Sequence, residues 1–217
     1  SIGGFSARTA QQTAMRYLSE ASTPRRGFER MRAGAYAPFR TAQSKHTHQT
    51  HCIIGNRGYG LGDARRLPLS LLTNILGGPS ANSLLNISLR EKHGLSYNIE
   101  ASYTPYTDDG IVSIYFSSDH GNADHCMELI HKQLKALCDQ PLSSRALSTA
   151  RKQFIAQMSI SMESNEGYML GAGKSYLVHN DMDTLDEAYA KVMAITAEEI
   201  TEAARETFAD MSYLIYK

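Results

Sequence analysis

The chain has 217 residues, 42% of them hydrophobic, with 22 Lys+Arg against 22 Asp+Glu and no Trp. That length suits one large domain or two small ones with a sizeable core. The balanced charge argues against a nucleic-acid binder, which carries a basic patch or stripe, and no run of residues is apolar for long enough to span a membrane.

The chain begins at Ser1 without an initiating Met, as a fragment or a processed product would. Ser1-Ile2-Gly3-Gly4-Phe5 has no basic region leading into a long apolar run, so it does not read as a signal peptide. Residues 2–5 read as the tail of a strand. Residues 6–20 read as a helix with Ala10, Ala14, Tyr17 and Leu18 on one face. Residues 21–45, rich in Arg, Gly, Pro and Ser, suit a connecting loop. A strand over 49–55 leads into a glycine-rich turn over 55–60. Residues 67–76 form a helix that stops at Gly77-Gly78, and 82–92 form a second one stopped by Gly94. Strands over 95–103 and 111–118 follow, and Asp109-Gly110 in the turn between them makes them antiparallel neighbours. The remainder is helical: 122–137, 144–162, 167–178, 185–194, and a last helix from 196 to about 208. Thr184-Leu185-Asp186-Glu187 and Thr196-Ala197-Glu198-Glu199 are capping boxes. A strand over 211–216 closes the chain. Two groups of strands with helices between them predict an α+β fold, an antiparallel sheet with helices packed on one face. Residues 1–45 read as a linking segment and 46–217 as one domain.

Cys52, Cys126 and Cys138 are too few and too odd in number for a disulfide framework. Buried thiols and a lean toward a reducing, cytoplasmic compartment follow.

The histidines are the first candidates for metal chemistry. Two His one helical turn apart beside a Glu are needed for the H-x-x-E-H type of zinc helix, and no predicted helix offers them. His120 and His125 are five apart and share no helix face. His46, His48 and His51 match the spacing of the H-x-H-x-D-H signature of metallo-β-lactamase-like hydrolases. Thr50 stands where the Asp belongs, and strand alternation sends His51 to the other face. This cluster is the basis of an alternative reading as a stand-alone metallohydrolase. There is no G-x-S-x-G elbow, and Gly77-Gly78-Pro79-Ser80 lacks the G-K-[ST] end of a P-loop.

Arg90 and Tyr97 stand out differently. Arg90 lies near a predicted helix C-terminus, where a cation is favoured. Tyr97 starts the next strand, beyond Gly94, where the chain reverses. Both side chains are hydrogen-bond donors, and aimed at one peptide carbonyl they would stabilise a developing oxyanion.

Gly77-Gly78 and the run Leu89-Arg90-Glu91-Lys92-His93-Gly94-Leu95-Ser96-Tyr97 resemble the L-R-E-x-x-G-L-x-Y segment of pitrilysin/insulinase zinc peptidases. Residues 49–55, 102–110 and 196–208 resemble, in order, that family's strand before a helix pair, its sheet hairpin and its closing helix. Residues 2–6 resemble the link between its two homologous halves. The resemblance implies the C-terminal, non-zinc-binding half of a clamshell peptidase. By implication Arg90 and Tyr97 hold the substrate backbone and the tetrahedral intermediate. Gly77, Gly78, Ser80 and Asn82 shape the substrate entrance, and an edge strand pairs with an extended peptide or unfolded protein. Zinc and the general base belong to the N-terminal half, as part of the same protein or as a partner subunit, and nucleic acid and membrane have no part. A non-catalytic assembly subunit of the same fold is the competing implication.

Overall fold

The computed structural model describes residues 3–21, 31 and 33–217. Contacts divide the chain into two compact units: residues 1–33 with 156–182, and residues 34–155 with 183–217. The smaller unit holds helix α1 (Ala7–Leu18), the end of α4 (Ser144–Met162) and α5 (Asn165–His179). The hydroxyl of Ser6 accepts from the Thr9 amide and caps α1, while Ser164 does the same for α5 through Gly167. Gly3, Gly4 and Phe5 are bends rather than the predicted strand, and Ile2 lies outside the described residues.

The larger unit is built on five strands: β1 (Arg40–Gln43), β2 (Thr50–Gly58), β3 (Ser96–Pro105), β4 (Gly110–Ser118) and β5 (Ser212–Tyr216). Their order is β1-β5-β2-β4-β3, antiparallel throughout except that β1 runs parallel to β5. β1 falls in the stretch that composition assigns to a loop. β5, arriving from the far end of the chain, supplies its partner, and no local pattern encodes that pairing. The turn expected over 55–60 begins late, because Asn56, Arg57 and Gly58 stay paired with Val112, Ile111 and Gly110.

Helices α2 (Arg66–Gly77), α3 (Ala123–Asp139) and α7 (Ala197–Thr207) form a layer on the sheet: α2 packs on β3 and α7, and α7 on α3 and β2. Strand alternation decides which side they cover. Cys52 and Ile54 on β2, Ile99 and Ala101 on β3, and Val112, Ile114 and Phe116 on β4 are buried. Ile53 and Ile111, on the other face, are exposed. Leu69, Leu72 and Leu76 of α2, Ile130 of α3 and Ile200 of α7 complete the core. Each such side chain contributes roughly 1.5–3 kcal/mol. Both capping boxes form, Thr184 with Glu187 on α6 (Leu185–Ala194) and Thr196 with Glu199 on α7.

Candidate functional site

The segment from Gly77 to Ala101 departs from regular structure three times, and each departure has a local cause. The first is a close approach. A Cβ on Gly77 would stand 2.6 Å from the Ala101 amide nitrogen and 2.9 Å from its Cβ, so only glycine lets the last residue of α2 rest on the β3 backbone. Gly78 then caps α2 in extended conformation, its N–H bonding to the Asn74 carbonyl. The second departure replaces the α-helix predicted over 82–92. Residues 86–91 form a π-helix, the wide form that recurs at functional sites. Leu85 and Leu89 anchor it in the core, which leaves the next residue, Arg90, facing outward. It closes on Gly94, at φ 62°, in the left-handed region. There the Gly94 amide bonds to the Arg90 carbonyl at 3.0 Å and the Leu95 amide to the Leu89 carbonyl at 2.8 Å.

The third departure is a β-bulge. Ser96 pairs with Ser118 and Asn98 with Ser117, so Tyr97 has no opposite residue on β4. A bulge re-aims the side chain at the extra residue. Ser96 is pinned by its hydroxyl, which donates to the Ser117 carbonyl at 2.7 Å, and Tyr97 turns outward with 82% of its surface exposed.

These features enclose a cleft of about 300 Å3 at the outer edge of the sheet. Arg90, Tyr97, Gly77 and Gly78 line it together with Pro79, Asn86, Asn98, Ile99, Glu100 and Ala101. Among the described residues the guanidinium meets only Glu91, at 3.6 Å between two exposed side chains, an ion pair of little strength. Among the described residues the Tyr97 hydroxyl has no hydrogen-bond partner. Two donors therefore open on one cleft with their hydrogens uncommitted. β3 is the last strand on this side, so its outer edge is available to an extended chain.

Ser80 and Asn82 lie elsewhere. Ser80 is in the loop between α2 and the π-helix, where its carbonyl accepts from the Ser83 amide at 3.0 Å. The Asn82 side chain donates to Gln153 Oε1 at 2.8 Å and lines a separate cleft with α4. Sequence reasoning missed Asn86, Asn98 and Glu100. Asn86 precedes Arg90 by one helical turn, a usable signal. The outward turn of Asn98 depends on the bulge, which nothing in the sequence announces.

Among the described residues the histidines singled out in the sequence do not converge on a ligand site. His51 Nδ1 and the Tyr115 hydroxyl share a 2.8 Å hydrogen bond, while His46 and His48 lie ahead of β2 on exposed backbone. The His120 Nε2 donates to the Thr47 carbonyl at 2.9 Å and its Nδ1 accepts from the Thr50 hydroxyl at 2.9 Å, a polar staple. Among the described residues no three His, Cys, Asp or Glu side chains converge as metal ligands. Burial pushes the Cys52 thiol from 9.0 up to about 12, and raises Cys126 and Cys138 as well, so these are not activated nucleophiles.

Helices on one face of a five-stranded sheet, with the Arg90–Tyr97 cleft at its edge, give the architecture of one half of a pitrilysin-type clamshell. The chain belongs to the peptidase M16 inactive-domain family, whose model matches residues 1–154. It is 30% identical over 168 residues to an uncharacterized zinc protease, YmxG, of Bacillus subtilis, covering 77% of this chain and 41% of that protein. It is 23% identical over 184 residues to mitochondrial cytochrome b-c1 complex subunit 2 of Rattus norvegicus, covering 80% of this chain and 41% of that one. A protease from Helicobacter pylori superposes with a TM-score of 0.83 at 16% identity, over 100% of this chain and 53% of that one. The chain thus spans about two fifths of the length of these curated relatives.

Proposed function

We propose that this chain is the C-terminal, substrate-binding half of a zinc-dependent endopeptidase of the pitrilysin/insulinase type. The observation that carries the reading is the opening of the Arg90 guanidinium and the Tyr97 hydroxyl onto one cleft beside the free edge of β3. A substrate extended along that edge pairs its backbone with β3. Its scissile carbonyl then receives hydrogen bonds from Arg90 and Tyr97, which strengthen as the oxygen gains charge. Gly77 and Gly78 form the floor of the cleft.

The described residues of this chain do not fit a catalytic zinc, since no three ligands converge. The name zinc protease carried by the Bacillus relative supports a metal held by the N-terminal half, in the same protein or as a partner subunit. The chain alone therefore does not cleave peptides. The likeness to cytochrome b-c1 subunit 2 supports a second reading, a non-catalytic subunit in a larger assembly.

The test is peptide hydrolysis by the complete protein and by its Arg90→Ala and Tyr97→Phe variants. On the first reading turnover falls in both while the fold is kept. Full activity in either variant removes the oxyanion role, and no activity in the complete protein favours the assembly subunit.

A further inference from the structure

The wide turn between Arg90 and Tyr97 carries one more residue, His93, and sets it beside His125 in the first turn of α3. The ring centroids are 5.8 Å apart and the planes nearly perpendicular, at 83°. His93 Nδ1 lies 2.6 Å from the Ser88 carbonyl oxygen. A carbonyl only accepts, so Nδ1 carries the proton and Nε2 of the neutral ring keeps its lone pair. His125 Nδ1 lies 3.4 Å from Glu128 Oε2, and the same reasoning leaves its Nε2 bare. A carbonyl or carboxylate behind Nδ1, with Nε2 free, is the arrangement that orients metal-ligating histidines. With metal–nitrogen bonds of about 2.1 Å, two imidazoles on one ion have centroids roughly 5–6 Å apart. Both rings are exposed and open to an ion from solution.

We propose that His93 and His125 form a two-histidine site for a borderline first-row divalent cation, Zn2+, Ni2+ or Cu2+, bound through both Nε2 atoms. Water fills the remaining positions, because no third His, Cys, Asp or Glu joins the pair among the described residues. The bound ion ties the Gly94 turn to the start of α3 and so stiffens the segment that presents Arg90 and Tyr97. This site is separate from the zinc of the other half and does not depend on the peptidase reading.

Calorimetric titration of the 217-residue chain with NiCl2 and then ZnCl2 tests it, alongside thermal melts. Saturable one-to-one binding is expected, with a higher Tm in the presence of the ion. His93→Ala and His125→Ala each abolish both effects, and Glu128→Gln weakens binding by about tenfold, as loss of an outer partner does. A His46→Ala/His48→Ala/His51→Ala variant binds as before, and Mg2+ and Ca2+ do not bind, since imidazole does not suit them. Circular dichroism confirms that each variant is folded. Absence of saturable binding, its survival in folded His93→Ala, or its loss in the triple variant overturns the proposal.

Discussion

Arg90 and Tyr97 face the same cleft although one sits in the last turn of a π-helix and the other is the unpaired residue of a β-bulge. Neither would point there from ideal structure. An α-helix in this segment would rotate Arg90 relative to the buried Leu85 and Leu89, and a regular strand would put Tyr97 on the face opposite Ser96 without re-aiming it. The left-handed Gly94 joins the two irregularities, so the positions of both donors depend on one turn.

Replacing either donor is expected to separate function from stability. Arg90 and Tyr97 are exposed and weakly tied, so Arg90→Ala and Tyr97→Phe shift unfolding by about 0.5 kcal/mol or less. In the complete protein each lowers kcat by roughly 10²–10³-fold if it loses an oxyanion donor. Urea melts and steady-state kinetics on the same preparations decide the matter.

The chain by itself is expected to leave a quenched peptide library intact, with or without added zinc. Chelator-sensitive cleavage by the pure 217-residue chain would show that it holds a complete active site.

Gly94→Ala places a Cβ in the left-handed region and costs about 1–2 kcal/mol. Gly94→Asn costs less, because Asn tolerates that conformation. If the Arg90–Tyr97 arrangement depends on this turn, turnover in the complete protein falls with Gly94→Ala beyond what the fraction folded explains. An Ala variant as stable as the wild type would mean that the turn relaxes freely.

Gly77→Ala meets the β3 backbone at 2.6 Å, and backbone cannot yield as a flexible side chain does. The end of α2 must lift from Ala101, at about 1–3 kcal/mol. Chemical denaturation measures the loss, which should exceed that of an alanine at Gly62, where a Cβ meets nothing within 4 Å.

The Cys52 thiol gives a pH signature. Burial favours the neutral thiol and raises its pKa from 9.0 to about 12. Between those values the folded chain holds a proton that the unfolded chain releases. Stability contributed by this group is therefore complete below about pH 9 and declines as pH rises toward 12. Reaction with a thiol reagent at pH 8 should be slow for Cys52 in the native chain and fast in urea. Rapid native labelling of Cys52 would contradict its burial.

Much of this was legible in the residues. Helices α4 and α6, both capping boxes and the β3–β4 hairpin follow from periodicity and caps, which act over a few residues. The Leu89-to-Tyr97 run drew attention to Arg90 and Tyr97 through its resemblance to the pitrilysin/insulinase segment, and the structure places both on one cleft. What the residues could not show is long-range or irregular. β1 is a strand because β5, from the far end of the chain, lies beside it. Asn56–Gly58 extend β2 because β4 continues to pair with them. Asn82 faces α4 rather than the cleft because Gln153 offers it a partner. The sequence by itself determined the local elements, since propensity, capping and alternation are properties of neighbouring residues. Only the tertiary structure decided that a π-helix, a left-handed glycine and a bulge would turn Arg90 and Tyr97 onto one cleft, because those geometries arise from packing against Leu85, Leu89 and β4.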